Sequence, residues 1–329
     1  MKQIIETVEK VKKDFDVRGG LKNIFFVACG DSLAAMYPAN YLIDREGTSV
    51  YSTMYNSGEF VSLPPKTLGK NTLVICTSTK ATPETVEAIK TANERGALTI
   101  GLTGYADSAT ARTARYSLVY NHKDEWNSDS SLVTTNSQSA ALKLAFGILR
   151  RFENYPSYQE AIKAFSAMGE IYAGACKKTA DRKIAFALDC KDDEVFNVIG
   201  SGPLYATAYV DAFCFLEEMQ HRHCVPVHGG EYFHGPFETL ERNLPVILLM
   251  GAGPTRPLDE RDKRFLEKFC SRLYVLDALE LGLGQLDPAV AEYFNTLLIH
   301  PLSKQYFAEL AAIRQHPLTY RRYMWKTEY

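Results

Sequence analysis

The chain has 329 residues and a mass of 36.9 kDa, which is enough for about two domains that each bury a core. Its 37 Lys and Arg residues nearly balance 39 Asp and Glu residues, and a net charge of −2 argues against nucleic-acid partners and basic membrane binding. Hydrophobic residues make up 46% and charged residues 23%, a globular composition that excludes long-range disorder. No apolar run reaches the ~18 residues of a membrane span, and the charged N-terminus lacks the pattern of a secretory signal.

The cysteines and histidines give no sign of a disulfide framework or a metal centre. Seven cysteines, mostly inside apolar runs, form no Cys-x-x-Cys pair, which indicates buried free thiols and a cytoplasmic protein. Several potential ligands crowd one region: His221, His223, Cys224, His228 and His234. Side chains two residues apart on a helix face different sides, and no zinc-binding spacing accompanies them. We therefore predict no metal site.

The first half of the chain alternates helical segments with short apolar runs, a pattern typical of parallel βαβ units. An amphipathic helix is predicted from Lys2 to Asp16, and another helix over 32–44. Buried strands are predicted at 24–28, 72–76, 98–102 and 116–120. Thr82 as N-cap and Pro83 as first helical residue predict a helix that stops at Gly96.

The order of strand, loop and helix then returns in the second half. Helices fill 135–183 with a break at Tyr155-Pro156, and strands are predicted at 195–199, 245–250 and 273–276, with helices over 204–221 and 258–269. FFVACGDS aligns with FNVIGSGP, and LVICTSTKATPET with ILLMGAGPTRPLD, which indicates an internal duplication. We predict two three-layer α/β units with mainly parallel, flavodoxin-like sheets. Their limits are a first domain at 1–152, connecting helices at 153–189, a second domain at 190–302, and a C-terminal helix and tail at 303–329.

Two loops of the first half carry residues suited to anion binding. Cys29-Gly30-Asp31-Ser32 follows the first strand and opens a helix, whose N-terminal N–H groups attract anions. Thr77-Ser78-Thr79-Lys80-Ala81-Thr82 follows the second strand and supplies hydroxyl donors. Since parallel strands end at one edge of a sheet, the two loops predict a phosphate site there. The plainer alternative is an ordinary turn and a polar loop, and GSGPLY lacks the third glycine of a dinucleotide fingerprint.

A second group of candidates lies between residues 217 and 236. Glu217 and Glu218 end an apolar, aromatic helix, where partial burial would raise a carboxyl pKa. A glycine-flanked loop then presents Glu231 and His234. A carboxylate and an imidazole at one substrate are the pair that moves protons between carbon and oxygen. The structural alternative is a solvated helix end and a capping histidine.

These stretches resemble the SIS (sugar isomerase) family of phosphosugar proteins in its double-domain form. The resemblance covers nearly the whole chain and rests on CGDS at 29–32, TSTKAT at 77–82, the EEMQHRHC helix end, GEYFHGP at 230–236 and the terminal HPLTYRRYMWKTEY. It extends to the isomerase half of glucosamine-6-phosphate synthase and is stronger to the bacterial fructosamine-6-phosphate deglycases. The Glu-to-His spacing of both branches selects Glu218 rather than Glu217.

The resemblance implies roles for individual residues. The sugar phosphate would bind Gly30, Ser32, Thr77, Ser78, Thr79 and Thr82. The catalytic pair would be Glu218 and His234, and further substrate contacts would come from Glu231, Thr135 and Tyr323, with no metal and no cofactor. Family loops carry glycine at the position of Lys80, so the backbone there must tolerate a side chain. Family members share active sites between subunits, so a homodimer or larger homo-oligomer is expected.

By the same resemblance the substrate is an Amadori product, fructoselysine 6-phosphate or a similar amino-acid adduct. Water would cleave it through an enaminol to glucose 6-phosphate and the free amino acid. An aldose–ketose isomerase or an amino-sugar-phosphate deaminase would use the same residues, whereas a non-catalytic sugar-phosphate sensor would not need Glu218 and His234. The sequence leaves open which amino acid is carried, and whether its nitrogen is on C1 or C2.

The two ends of the chain add two expectations. Met1 is followed by Lys2, and the length leaves no room for a glutaminase domain, which argues against glutamine-dependent synthesis. The basic and aromatic tail, with Arg321, Arg322, Tyr323 and Trp325, would close over the sugar, cross a dimer interface or simply strap the second domain.

Overall fold

The computed structural model describes residues 1–122 and 130–328. Among these residues the chain forms two compact units: the first unit comprises 1–122 and 131–166, and the second unit comprises 130 and 167–328. The domain limits given above remain predictions.

The first unit is a five-stranded parallel sheet with helices. The sheet order is β2-β1-β3-β4-β5. Its elements are α1 (Lys2–Arg18), β1 (Asn23–Ala28), α2 (Gly30–Glu46), β2 (Tyr51–Asn56), α3 (Ser57–Ser62), β3 (Thr72–Thr77), α4 (Pro83–Glu94), β4 (Leu98–Thr103), α5 (Ala109–Thr113), β5 (Tyr116–Val119) and α6 (Ser137–Glu153). All residues of β3 and β4 are buried, as expected for strands that are covered on both faces. This burial explains why their sequences are continuous apolar runs.

The second unit is built around a four-stranded parallel sheet in the order β7-β6-β8-β9. Its strands are β6 (Val195–Gly200), β7 (His223–His228), β8 (Val246–Met250) and β9 (Leu273–Asp277). Its longer helices include α8 (Ala180–Cys190), α9 (Tyr205–Val210) continued by a π-helix (Asp211–Met219), α10 (Arg256–Phe269) and α11 (Asn295–Ile313). The helix α7 (Tyr158–Lys178) begins in the first unit and ends in the second.

The two sheets share one arrangement of strands. In each, the first strand lies between the second and the third, and every pairing is parallel. The two parallel α/β units predicted from the sequence are thereby confirmed. Such an order has its switch point between the first and third strands, whose carboxyl ends flank the crevice where this class of sheet binds ligands.

Two strands were missing from the prediction, and both lie at a sheet edge. The sequence of β7, HCVPVH, contains Pro226, which removes a backbone donor and is tolerated only at an edge strand. β2 has no fully buried residue, so its sequence YSTMYN lacks an apolar run. The helix predicted over 204–221 also differs, since it changes from α to π at Asp211 and ends at Met219.

Three further observations bear on the sequence-based expectations. All seven cysteines are free. No helix in the described residues is both long and apolar enough to cross a membrane. The same residues contain no group of three or more His, Cys, Asp or Glu side chains placed to hold a metal ion.

Candidate active site

The two hydroxyl-bearing loops of the first unit follow neighbouring strands. β1 and β3 pair in register, with Val27 opposite Cys76, so the loops that begin at Cys29 and Ser78 leave the same edge of the sheet. Gly30 opens α2 with a φ of +54°, in the left-handed region that glycine adopts without strain. Ser32 is half-buried in the first turn of α2. The structure thus places both loops at the switch point of the sheet.

The TSTKAT loop is held together by its own hydroxyl groups. Ser78 is almost fully buried, and its Oγ lies 3.0 Å from Thr82 Oγ1 and accepts a hydrogen bond from the Thr82 N–H at 2.8 Å. Thr79 Oγ1 lies 2.7 Å from the hydroxyl of Tyr120. Thr77 is 1% exposed, and its hydroxyl has no hydrogen-bond partner among the described residues. Of the four hydroxyl-bearing residues of this loop, Thr79 is half-buried and Thr82 is exposed.

Two expectations for this loop are corrected by the geometry. Thr82 occupies the N-cap position of α4, but its side chain pairs with Ser78 instead of capping the helix. The left-handed residue is Ala81, with a φ of +65°, whereas Lys80 is simply exposed. The backbone strain expected at Lys80 therefore falls on the next residue.

A third loop at this edge was missed by sequence reasoning. Asn56, the last residue of β2, accepts hydrogen bonds from the N–H groups of Gly58 and Glu59 and lies 3.6 Å from Cys29 Sγ. Ser57 Oγ lies 3.1 Å from Thr85 Oγ1, and both side chains are buried. The stretch Asn-Ser-Gly-Glu has the spacing of a capping motif, which was the available signal.

Thr135 is exposed at the surface of the first unit. Its hydroxyl donates to the carbonyl oxygen of Ser131 at 3.0 Å, and its carbonyl accepts from the N–H of Asn121 at 2.9 Å. These bonds form the turn that leads into α6. The hydroxyl is engaged locally, and its role toward a substrate stays a prediction.

In the second unit, Glu218 lies on the π-helix and pairs with the C-terminal tail. Its Oε1 is 2.6 Å from the Arg321 guanidinium, and the two side chains are 23% and 8% exposed. Sequence reasoning did not foresee this ion pair. The tail is therefore packed on the helix end that carries Glu218. The raised pKa expected for Glu218 from burial stays a prediction.

An open pocket of about 480 Å³ surrounds this ion pair. It is lined by Glu217, Glu218, His221, Arg222, His223, Arg321, Arg322, Tyr323 and Met324. The structure thus brings together Glu218 and Tyr323, two of the residues proposed to contact substrate. Burial is the main cause that lowers the pKa of His221, and the nearby His316 and arginines lower it further, so this imidazole is neutral at neutral pH.

Glu231 and His234 lie at the other end of β7 from Glu218. Both are exposed on a short 3₁₀ helix, Gly229–His234, that follows the last residue of β7. Glu217, next to Glu218, accepts from the N–H of Cys224 at 3.4 Å, which places the π-helix end beside the start of the strand. The six residues of β7 span roughly 17 Å. Within one chain, Glu218 and His234 are thus separated by the length of a strand.

Comparison with known proteins identifies the family to which the chain belongs. The SIS domain profile matches residues 21–147, which hold the first sheet and both hydroxyl-bearing loops. Fructosamine deglycase FrlB of Bacillus subtilis is 39% identical over 95% of this chain and 95% of its own length. Fructoselysine 6-phosphate deglycase of Escherichia coli is 27% identical, covering 87% of this chain and 79% of its own length.

The solved structure of a Bacillus subtilis protein described as a phosphosugar isomerase superposes on this chain with a TM-score of 0.93 at 36% sequence identity. The match covers 100% of this chain and 97% of the other. The chain therefore belongs to the SIS-domain family of phosphosugar proteins, within the group that includes fructosamine deglycase.

Proposed function

We propose that the protein is a fructosamine-6-phosphate deglycase, which uses water to cleave an Amadori product to glucose 6-phosphate and a free amino acid. The observation that carries this proposal is the Glu218 carboxylate, held at 2.6 Å by Arg321 in an open polar pocket. The ion pair holds the carboxylate in one orientation, and a general base must be positioned in this way. The similarity to deglycases over nearly the full chain supports the choice of reaction.

The loops of the first unit are proposed to bind the sugar phosphate. Thr79 is half-buried and Thr82 is exposed, and Ser32 lies in the first turn of the 17-residue helix α2. Hydroxyl donors and the positive end of a helix dipole bind phosphate without a formal positive charge. Thr77 and Ser78 are buried and would act mainly by shaping the loop.

The chemistry proposed for the second unit is proton transfer. Glu218 removes a proton from C1 of the open-chain sugar, and the C1–H electrons form the C1–C2 double bond of an enaminol as the C2 oxygen gains a proton. Return of a proton to C2 gives the imine of glucose 6-phosphate, which water hydrolyses. His234 is proposed to assist ring opening. The electrons flow through the substrate's own nitrogen and carbonyl group, so the proposed reaction uses no metal and no cofactor.

Two copies of the chain are proposed to complete each site. Glu218 and His234 stand at opposite ends of β7, too far apart for both to act on one sugar carbon from a single chain. A homodimer or larger homo-oligomer would allow His234 of one copy to serve the Glu218 pocket of another. The seven free cysteines fit a reducing compartment, and we propose the cytoplasm.

One assay separates the candidate reactions. The purified protein is incubated with fructoselysine 6-phosphate and, separately, with glucosamine 6-phosphate, and glucose 6-phosphate and fructose 6-phosphate are quantified. Glucose 6-phosphate from the first substrate is expected. Fructose 6-phosphate from the second would indicate a deaminase instead, and turnover of neither would contradict both the deglycase and the deaminase.

The variants Glu218→Gln and His234→Asn test the assigned roles. Each is expected to lower kcat by about 10²–10⁴-fold, the usual contribution of a positioned acid or base. Mixing the two inactive variants under subunit exchange should restore part of the activity if sites are shared. Mixtures that stay inactive although exchange is demonstrated would contradict the two-copy site.

A further inference from the structure

Arginine side chains dominate the pocket that contains Glu218. Arg222, Arg321 and Arg322 line it, and among the described residues the carboxylates that line it are those of Glu217 and Glu218. Glu218 is engaged by Arg321. Neither Arg222 nor Arg322 forms an ion pair with any carboxylate in the described part of the chain. Among the described residues, the pocket therefore holds more positive charge than its own carboxylates neutralise.

The same pocket also contains hydrogen-bond donors that have no partner. The Nε atoms of Arg222 and Arg321 are buried and have no hydrogen-bond partner among residues 1–122 and 130–328. Arg322 Nη2 lies 3.4 Å from His221 Nδ1, a neutral partner. Buried donors without acceptors cost free energy, which a bound anion would recover. This is a second sign, independent of the charge count, that the pocket accepts an anion.

The proposed reaction supplies an anion at this position. When an amino acid is joined to the sugar through its α-nitrogen, the carbon that carries the nitrogen also carries the carboxylate. Glu218 acts at C1, which bears that nitrogen, so the carboxylate must lie close to Glu218 as well. The fork of a guanidinium matches a carboxylate in two parallel hydrogen bonds.

We propose that Arg222 and Arg322 form a subsite that binds the carboxylate of the amino-acid part of the substrate, while Arg321 positions Glu218. The inference rests on the proposed deglycase function. By this inference, the C-terminal tail and the residues that follow the π-helix determine which amino-acid adducts the protein accepts. Substrates without a carboxylate next to the nitrogen should bind less well for lack of this contact.

A matched pair of substrates tests the subsite. The 6-phosphate Amadori adducts of glycine and of methylamine differ only by the carboxylate. The wild-type protein should favour the glycine adduct in kcat/KM by about 10- to 100-fold, the effect of one or two hydrogen bonds to a charged group. Arg222→Gln and Arg322→Gln should lower kcat/KM for the glycine adduct, mainly through KM, and leave the methylamine adduct unchanged.

The control is Arg264→Gln, which removes an exposed arginine from α10 in the same unit and should affect neither adduct. Equal kcat/KM of the wild-type protein for both adducts would overturn the subsite while leaving the deglycase function intact. An equal loss for both adducts in the Arg222 and Arg322 variants would also overturn it. Failure of the wild-type protein to turn over either adduct would overturn the deglycase function and the subsite together.

Discussion

The carboxyl edges of the two sheets have the same topology but opposite chemistry. In the first unit, the end of β3 leads into TSTKAT, where Thr79 is half-buried and Thr82 is exposed. In the second unit, β8 is followed by GAGPTR. There the N–H of Gly251 donates to Asp259 Oδ2 at 2.9 Å, and the N–H of Ala252 donates to Asn295 Oδ1 at 2.8 Å. The protein's own side chains occupy the donors at this edge of the second unit.

Two buried acids lie at the closed edge. Asp259 and Asp262 are fully buried, and burial raises their pKa values to about 6 and about 7. A Cβ on Gly229 would approach Asp262 Oδ2 to 2.5 Å and Ser201 Oγ to 2.4 Å, so a larger residue there would displace these side chains. A phosphate beside such carboxyl groups would be repelled. The two edges thus share an architecture but differ in their side chains, and the proposed phosphate site lies at the edge of the first unit.

The difference between the two edges predicts that loss of a hydroxyl raises KM in the loop after β3 but not in the loop after β8. Ser78→Ala removes the Oγ that accepts from the Thr82 N–H, so the first-unit loop should lose its shape. We expect KM for the sugar phosphate to rise about 10- to 100-fold, the cost of one or two charge-assisted hydrogen bonds, with kcat much less affected. Steady-state kinetics provide the measurement.

The matched control is Thr255→Val in the second-unit loop, whose buried hydroxyl has no partner among the described residues. Its KM should equal that of the wild-type protein. A rise in KM for Thr255→Val as large as that for Ser78→Ala would contradict the proposal that the sugar phosphate binds at the edge of the first unit.

The buried acids predict a stability that falls as pH rises. Asp262 keeps its proton to about pH 7 in the folded protein, whereas the unfolded chain releases it near pH 4. Between these values the folded state binds more protons, so the free energy of unfolding decreases with pH and the full loss is present above pH 7.

Asp262→Asn removes this titration. Its free energy of unfolding should exceed that of the wild-type protein by on the order of 2 kcal/mol at pH 8 and by little at pH 4. Urea unfolding at both pH values is the measurement. A gain that is the same at pH 4 and pH 8 would mean that the charge of Asp262 is not the cause.

The smallest effect is expected at the strained residue of the first-unit loop. Ala81 has a φ of +65°, which costs an alanine more than a glycine. Ala81→Gly should therefore raise the free energy of unfolding by about 0.5–1 kcal/mol, after the greater freedom of glycine in the unfolded chain is counted. Denaturant titration measures it, and a loss of stability would contradict the strain at Ala81.

Much of the fold could be predicted because buried parallel strands have a plain sequence signature. β3 and β8 are continuous apolar runs followed by small residues and a helix start, and their repetition indicated two related units. β2 and β7 could not be predicted, since an edge strand is half exposed and keeps no such pattern. Pro226 reinforced the error, because proline weakens any strand prediction.

The sequence by itself determined the residue types that phosphate binding and proton transfer require, with their order along the chain. Only the tertiary structure decided their surroundings. It showed that Arg321, about a hundred residues away in sequence, contacts Glu218 at 2.6 Å. It also separated Glu218 from His234 by the length of β7, although they are close in sequence. The physical reason is that charge pairing and distance depend on how strands and helices pack, whereas hydrophobic periodicity records only which side of each element is buried.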